Sequence, residues 1–204
     1  MSRKKRIGIM GGTFNPVHMV HLILAENAYR TWELDEIMML PNGDPPHKTD
    51  IKVTPAADRL AMLQLAVKDI PYFHVSEMEI KRQGYSYSSV TLEELKKSHP
   101  DTDYYFIMGA DSIFQIETWH EPATVMANCI ILAATRDHTP AAGFKAQIDY
   151  LREKYGADIR LMDIPDLELS SSEIRRRVKN HQPIRFMVPD PVKEYIENHQ
   201  LYLH

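Results

Sequence analysis

Short, mainly apolar runs punctuate this chain at Arg6 to Met10, Glu36 to Leu40, Tyr104 to Met108 and Cys129 to Ala133. Each is too short for a typical helix, and each reads as a strand buried on both faces. Between and after them lie helical patterns with apolar positions three or four apart: His18 to Thr31, Pro55 to Lys68, Ser89 to Ser98, Gly143 to Tyr155, Ser171 to Asn180 and Pro191 to Asn198. Strands that alternate with helices in this way predict an α/β protein, a doubly wound parallel sheet with right-handed crossovers and helices on both faces. Such sheets bind ligands beyond the carboxyl ends of their strands, so functional residues are expected in the loops there.

Length and composition fit that expectation. The 204 residues, 44% of them hydrophobic, suit one domain spanning 1–204 with a real core. A formal charge of -4 suggests neither a nucleic-acid footprint nor a polybasic membrane surface. No stretch approaches the roughly 18 to 20 apolar residues of a spanning helix. The charged N-terminus Met1 to Arg6 leads into an apolar run too short for a signal peptide, and a cytoplasmic location is expected. Cys129, the single cysteine, lies in an apolar run and reads as core filling. The loop Pro41-Asn42-Gly43-Asp44-Pro45-Pro46-His47-Lys48 follows the second strand; it is either a solvated turn or a source of polar ligand contacts.

The first strand ends in Gly11-Gly12-Thr13-Phe14-Asn15-Pro16-Val17-His18-Met19-Val20-His21. Two glycines at a strand end let backbone N–H groups approach a ligand, and the helix start just beyond favours negative charge. His18 and His21, three apart, share one helix face and can donate to the same anion. The dinucleotide-fold glycine spacing and the P-loop lysine are both missing, so this is a different kind of phosphate turn. Zinc is a rival use of two histidines, but the glutamate of the metalloprotease helix motif is absent.

Near the other end, Ser170 and Glu173 have capping-box spacing in Ser170-Ser171-Ser172-Glu173-Ile174-Arg175. Capping leaves Arg175 unexplained, because a cation near a helix N-terminus loses ~0.3–1 kcal/mol to the helix dipole. A bound anion would offset that penalty. Beyond the third strand, Gly109-Ala110-Asp111-Ser112 and Trp119-His120 place a carboxylate and an indole in binding-site territory. Trp119 can stack on a pyridine ring and Asp111 can hold ribose hydroxyls or metal-bound water. A core tryptophan and a helix-capping aspartate are the plain alternatives.

The first stretch resembles the nucleotidyltransferase signature with paired histidines, and the second that superfamily's Ser-Ser-x-x-Ile-Arg motif. With Gly109 to Ser112, Trp119-His120, His47-Lys48, Gly84-Tyr85-Ser86-Tyr87-Ser88 and the closing Val192 to Ile196, the chain resembles bacterial nicotinate-nucleotide adenylyltransferases over nearly its whole length. That resemblance implies a Rossmann-like fold and adenylyl transfer from ATP to nicotinate mononucleotide. It implies that Gly11, Gly12, Thr13, Phe14, Gly109, Asp111 and Ser171 bind ATP, and that His18, His21 and Arg175 are catalytic, neutralising phosphate oxygens. It further implies that Lys48, Tyr87, Ser88 and Trp119 bind the mononucleotide. Mg²⁺ would arrive with ATP rather than on dedicated protein ligands, and a homo-oligomer is left open. Val20, Tyr85, Ser88 and Arg136-Asp137-His138 depart from that family's usual residues. Three rivals stay open: a related transferase acting on phosphopantetheine or a phosphoalcohol, a nucleotide sensor without turnover, and zinc-dependent hydrolysis through His18 and His21.

Overall fold

The computed structural model describes residues 3–43, 53–135, 142–164 and 168–203. In chain order the elements are β1 (Lys5–Gly12), α1 (Met19–Thr31), β2 (Glu36–Pro41), α2 (Ala56–Val67), β3 (Phe73–Val75), α3 (Met78–Lys81), α4 (Ser88–Ser98), β4 (Thr102–Gly109), α5 (Ala110–Gln115), a 3-10 turn at Ile116–Thr118, α6 (Pro122–Asn128), β5 (Ile130–Thr135), α7 (Ala142–Tyr155), β6 (Ile159–Asp163), α8 (Ser171–Lys179) and α9 (Asp190–Asn198). The six strands form one sheet in the order β3-β2-β1-β4-β5-β6, with every neighbouring pair parallel. This is the doubly wound Rossmann order, and its direction reverses between β1 and β4.

Side-chain alternation explains the two covered faces. In β4, Tyr105 and Ile107 join the apolar layer under α1, α2, α8 and α9. Tyr104, Phe106 and Met108 join the layer under α4, α6 and α7. Both sets are buried, which is why the strand reads as a continuous apolar run and not as an alternating one. Gly8 in β1 serves packing: a Cβ there would lie 2.5 Å from Ile37 Cδ1 and 2.8 Å from Leu34 Cδ1.

All four expected strands and all six expected helices are present, with ends moved by one or two residues. The sheet also has two edge strands that the sequence pattern hides. β3 has only three residues, and its central His74 is exposed. β6 carries the exposed Leu161 and Asp163, so its apolar signal is diluted, as is usual at sheet edges. Among the described residues no helix is long and apolar enough to cross a membrane.

Candidate nucleotide site

The site grows out of the strand ends at the switch point. Gly11 and Gly12 close β1 beside Leu40 and Pro41 of β2, and the Asn42 N–H donates to Gly12 O at 3.0 Å. A Cβ on Gly11 would sit 3.1 Å from the Phe106 ring, so the tight sheet packing itself calls for glycine. Phe14 turns the chain with φ 49° and buries its ring against Gly12 and edge-on to His21. Its side chain is core, so only its backbone can face a ligand.

His18 is the N-terminal cap of α1, with extended φ −145°, and His21 lies one turn on. Their rings lie 3.7 Å apart at 30°. The His18 backbone N–H donates to His21 Nδ1 at 3.2 Å, which assigns the ring proton of neutral His21 to Nε2. His21 lines a cleft; His18 is 5% exposed, and its Nδ1 is buried with no hydrogen-bond partner among the described residues.

Burial pulls His18 down to about 4, so its ring is neutral at pH 7. The unfolded chain takes up this proton near the ordinary histidine value of 6.5, the folded chain only near 4. Between those values the unfolded state binds more protons, so stability rises with pH across the window and is lost on acidification. Unfolding by urea at pH 7 and pH 4 should show His18 responsible for a loss on the order of 3 kcal/mol. His18→Asn should remove that part of the pH dependence; an unchanged slope in the variant would disprove the assignment.

At the far end of the chain, Ser170 caps α8 by accepting from Glu173 N–H at 3.2 Å. The Glu173 carboxylate turns to Arg176 and Arg177, whose hydrogen bonds pull it down to about 2. Ser171 Oγ donates to Pro16 O at 2.9 Å, Arg175 donates to Asn15 O at 2.9 Å, and the Tyr202 hydroxyl donates to Asn15 Oδ1 at 3.0 Å. The start of α8 is thereby fastened to the turn that leads to His18.

Two clefts adjoin at this end of the sheet. The first, about 460 Å³, is lined by Gly11, Thr13, His21, Tyr87, Ser88, Gly109 and Trp119, together with Asn42, Glu79, Ser86, Phe106 and His120. Trp119 is half-buried with its ring edge-on to Phe106, and Tyr87 stacks on His120 at 4.2 Å. His120 Nδ1 in turn lies 3.1 Å from the buried Ser89 Oγ, which ties the Trp119 segment to α4. The second cleft, about 240 Å³, is more apolar and is lined by Val20, Ala110, Asp111, Phe114, Ala134, Thr135, Phe144 and Ile164. Leu24 and Gly109 border both. Arg175 borders neither; it faces a third cleft of about 580 Å³ with Thr54, Ser172, Arg176 and Tyr202. Lys48 lies outside the described residues, as do Asp137 and His138.

Sequence reasoning missed Arg59, Glu79 and Asn42. Arg59 occupies an apolar-stripe position with Met62, Leu63 and Val67 of α2, and a charge on that buried face was the available signal. Glu79 is 1% exposed and accepts from Asn42 Nδ2 at 2.9 Å and Thr91 Oγ1 at 2.7 Å. Burial raises its pKa, against the lowering effect of those hydrogen bonds. Among the described residues no group of three or more His, Cys, Asp or Glu side chains could hold a metal ion.

A Rossmann-ordered sheet with a glycine turn, two helix starts and paired clefts at the switch point defines a nucleotide-binding α/β protein. The cytidylyltransferase-like family model matches residues 9–177. A protein of Lachnoclostridium phytofermentans named "Probable nicotinate-nucleotide adenylyltransferase" is 45% identical over 98% of this chain and 100% of its own. A protein of the same name from Desulfitobacterium hafniense strain Y51 is 41% identical over 97% of this chain and 96% of its own. The nicotinic acid mononucleotide adenylyltransferase of Plasmodium falciparum, solved complexed with NaAD, has the same fold at 20% identity, with a TM-score of 0.80 over 97% of both chains. The chain belongs to the cytidylyltransferase-like family and, within it, to the nicotinate-nucleotide adenylyltransferases.

Proposed function

We propose that this chain transfers the adenylyl group of ATP to nicotinate mononucleotide, giving nicotinate adenine dinucleotide and pyrophosphate. The observation that carries the reading is the pair of clefts meeting at Gly109 and Leu24 beside His21. Two nucleotides seated side by side there bring their phosphates to the Gly11–His21 turn. The second cleft, with Phe114, Phe144 and Ala134, suits a flat purine, and Asp111 at its rim suits ribose hydroxyls. The first, with Trp119, Tyr87 and Ser88, suits the pyridine nucleotide. Lys48 belongs to the same assignment through its place in the motif.

A 5′-phosphate oxygen of the mononucleotide attacks the α-phosphorus, the new O–P bond forms, and the α–β bridging bond breaks with its electrons leaving on pyrophosphate. The nucleophile is already ionised at neutral pH, so no general base is required. The chain's task is alignment and charge stabilisation, which can supply about 7–11 kcal/mol through positioning alone. His21 donates from Nε2, His18 closes the turn behind it, and Arg175, tied with Ser171 to the Asn15–Pro16 turn, offers its remaining donors to the triphosphate. A divalent metal ion, Mg²⁺ in this reading, would supply charge neutralisation on the triphosphate oxygens. The exposed Asp111, the carboxylate lining the second cleft, would hold a water of that ion. We place the enzyme in the cytoplasm as one domain, with self-association open.

Pyrophosphate release from ATP and magnesium should be strong with nicotinate mononucleotide and weak with phosphopantetheine. Release with phosphopantetheine alone would overturn the pyridine assignment, and silence with either acceptor despite ATP binding would favour the sensor. Trp119→Ala should raise KM for nicotinate mononucleotide about 10-fold, in keeping with ~1–3 kcal/mol per stacked base, and leave KM for ATP within about twofold. Equal small shifts in both constants would refute stacking.

A further inference from the structure

Arg59 is the largest of the fully buried side chains, 1% exposed, and its partners are unusual for a cation. Nε donates to Thr54 O at 3.0 Å, one terminal nitrogen to Thr13 O and Asn42 O, each at 2.8 Å, and the other to Gly43 O at 3.1 Å. Among the described residues no carboxylate pairs with it. Its acceptors come from three segments: the turn after β1, the turn after β2 and the entry to α2. Thr13 and Asn42 both line the first cleft, so the guanidinium stands directly behind its wall. The turns it joins are already close, since Asn42 N–H donates to Gly12 O, and Gly43 N–H donates to Ser86 Oγ at 3.0 Å. Gly43 is pressed so tightly on α3 that a Cβ would lie 2.3 Å from Glu79 O.

An ordinary core would fill this place with an apolar residue, because a buried charge without a counter-ion is costly. Only a planar five-donor fork meets carbonyls from three segments at once, and Lys cannot reproduce that geometry. We propose that Arg59 is a positioning residue of the transfer reaction, fixing the phosphate turn at Thr13 against the Asn42–Gly43 turn, with the incoming nucleotide phosphates as its missing counter-charge. The inference rests on the adenylyl-transfer reading for its kinetic arm and on anionic nucleotide binding alone for its thermal arm. Burial lowers the Arg59 pKa, but a guanidinium keeps its proton inside proteins, so the charge is present when nucleotide arrives.

The test compares wild type with Arg59→Lys, which keeps the charge and loses the fork, and with Arg59→Met, which loses both. Each is measured for folded fraction by circular dichroism, for kcat and both KM values per folded molecule, and for the rise in Tm caused by a non-hydrolysable ATP analogue. Arg59→Lys should lower kcat about 10-fold, with KM values within about threefold, and should keep most of the Tm rise. Arg59→Met should lower kcat about 30-fold and lose most of the Tm rise. Activity per folded molecule within twofold of wild type in Arg59→Lys, or an undiminished Tm rise in Arg59→Met, would overturn the proposal and leave Arg59 a packing residue. Silence of the wild type with nicotinate mononucleotide would count against the reaction instead, and the Tm comparison would still decide on Arg59.

Discussion

His21→Ala is expected to lower kcat by about 10²–10³-fold, the loss seen when one preorganised donor to a charged transition state is removed. The expectation follows from how the ring is held. The His18 N–H occupies Nδ1, the His18 ring lies against it at 3.7 Å, and the Phe14 ring meets it in an edge arrangement at 5.0 Å. One tautomer in one orientation is therefore favoured before substrate arrives, which limits the reorganisation needed as charge develops. The effect should fall on kcat, with KM for nicotinate mononucleotide changed by less than about threefold, since the donor acts mainly on charge that appears during the transfer. His21→Gln, which can also donate from its side-chain end, should recover part of the loss. A kcat within about fivefold of wild type in His21→Ala, measured by steady-state pyrophosphate release, would remove His21 from the reaction.

How much of this was legible in the sequence depends on the kind of signal each residue carries. The central strands announce themselves because both faces are buried, so Tyr104 to Met108 and Cys129 to Ala133 are unbroken apolar runs. The edge strands do not. Phe73–Val75 is too short for any periodicity, and Ile159–Asp163 buries only Ile159 and Met162, a spacing that does not match the strand period of two. The short helices α3, α5 and α6 are silent for a related reason: at four to seven residues they span two turns or fewer, too little for an apolar stripe to repeat.

At the site, the glycine turn, the paired histidines and the α8 start were readable because local rules leave something unexplained there, a diglycine at a strand end or an arginine at a helix N-terminus. Arg59 and Glu79 were not, because their roles exist only once distant segments meet. Arg59 joins residues up to 46 positions away, and Glu79 joins Asn42 to Thr91. Ser170 shows the reverse case. The capping-box spacing is real, but only its first half forms: Ser170 accepts from Glu173 N–H while the Glu173 carboxylate serves Arg176 and Arg177. Two guanidinium groups offer it charge-assisted bonds that a single backbone N–H cannot match.

Arg175→Ala should lower kcat/KM for ATP about 100-fold. Arg175 is the fifth residue of α8, just past its first turn and on the positive half of the helix, and the bond to Asn15 O engages one of its five N–H donors. The donors left over are open to an anion brought to the Asn15–Pro16 turn, and the triphosphate is that anion in the proposed reaction. The substitution also releases one of the ties between α8 and the Asn15–Pro16 turn, another being Ser171 to Pro16, while Tyr202 beyond α9 holds the same turn through Asn15 Oδ1. That tie accounts for about 1 kcal/mol of stability, the net value of an ordinary hydrogen bond, and cannot by itself produce a 100-fold kinetic loss. The two contributions separate experimentally. Arg175→Lys restores charge without the fork and should regain roughly tenfold of the lost kcat/KM, whereas Arg175→Gln, which keeps an N–H donor for Asn15 but no charge, should regain stability and little activity. If Arg175→Gln instead recovered activity in step with its stability, Arg175 would be a brace for the turn and not a partner of the triphosphate.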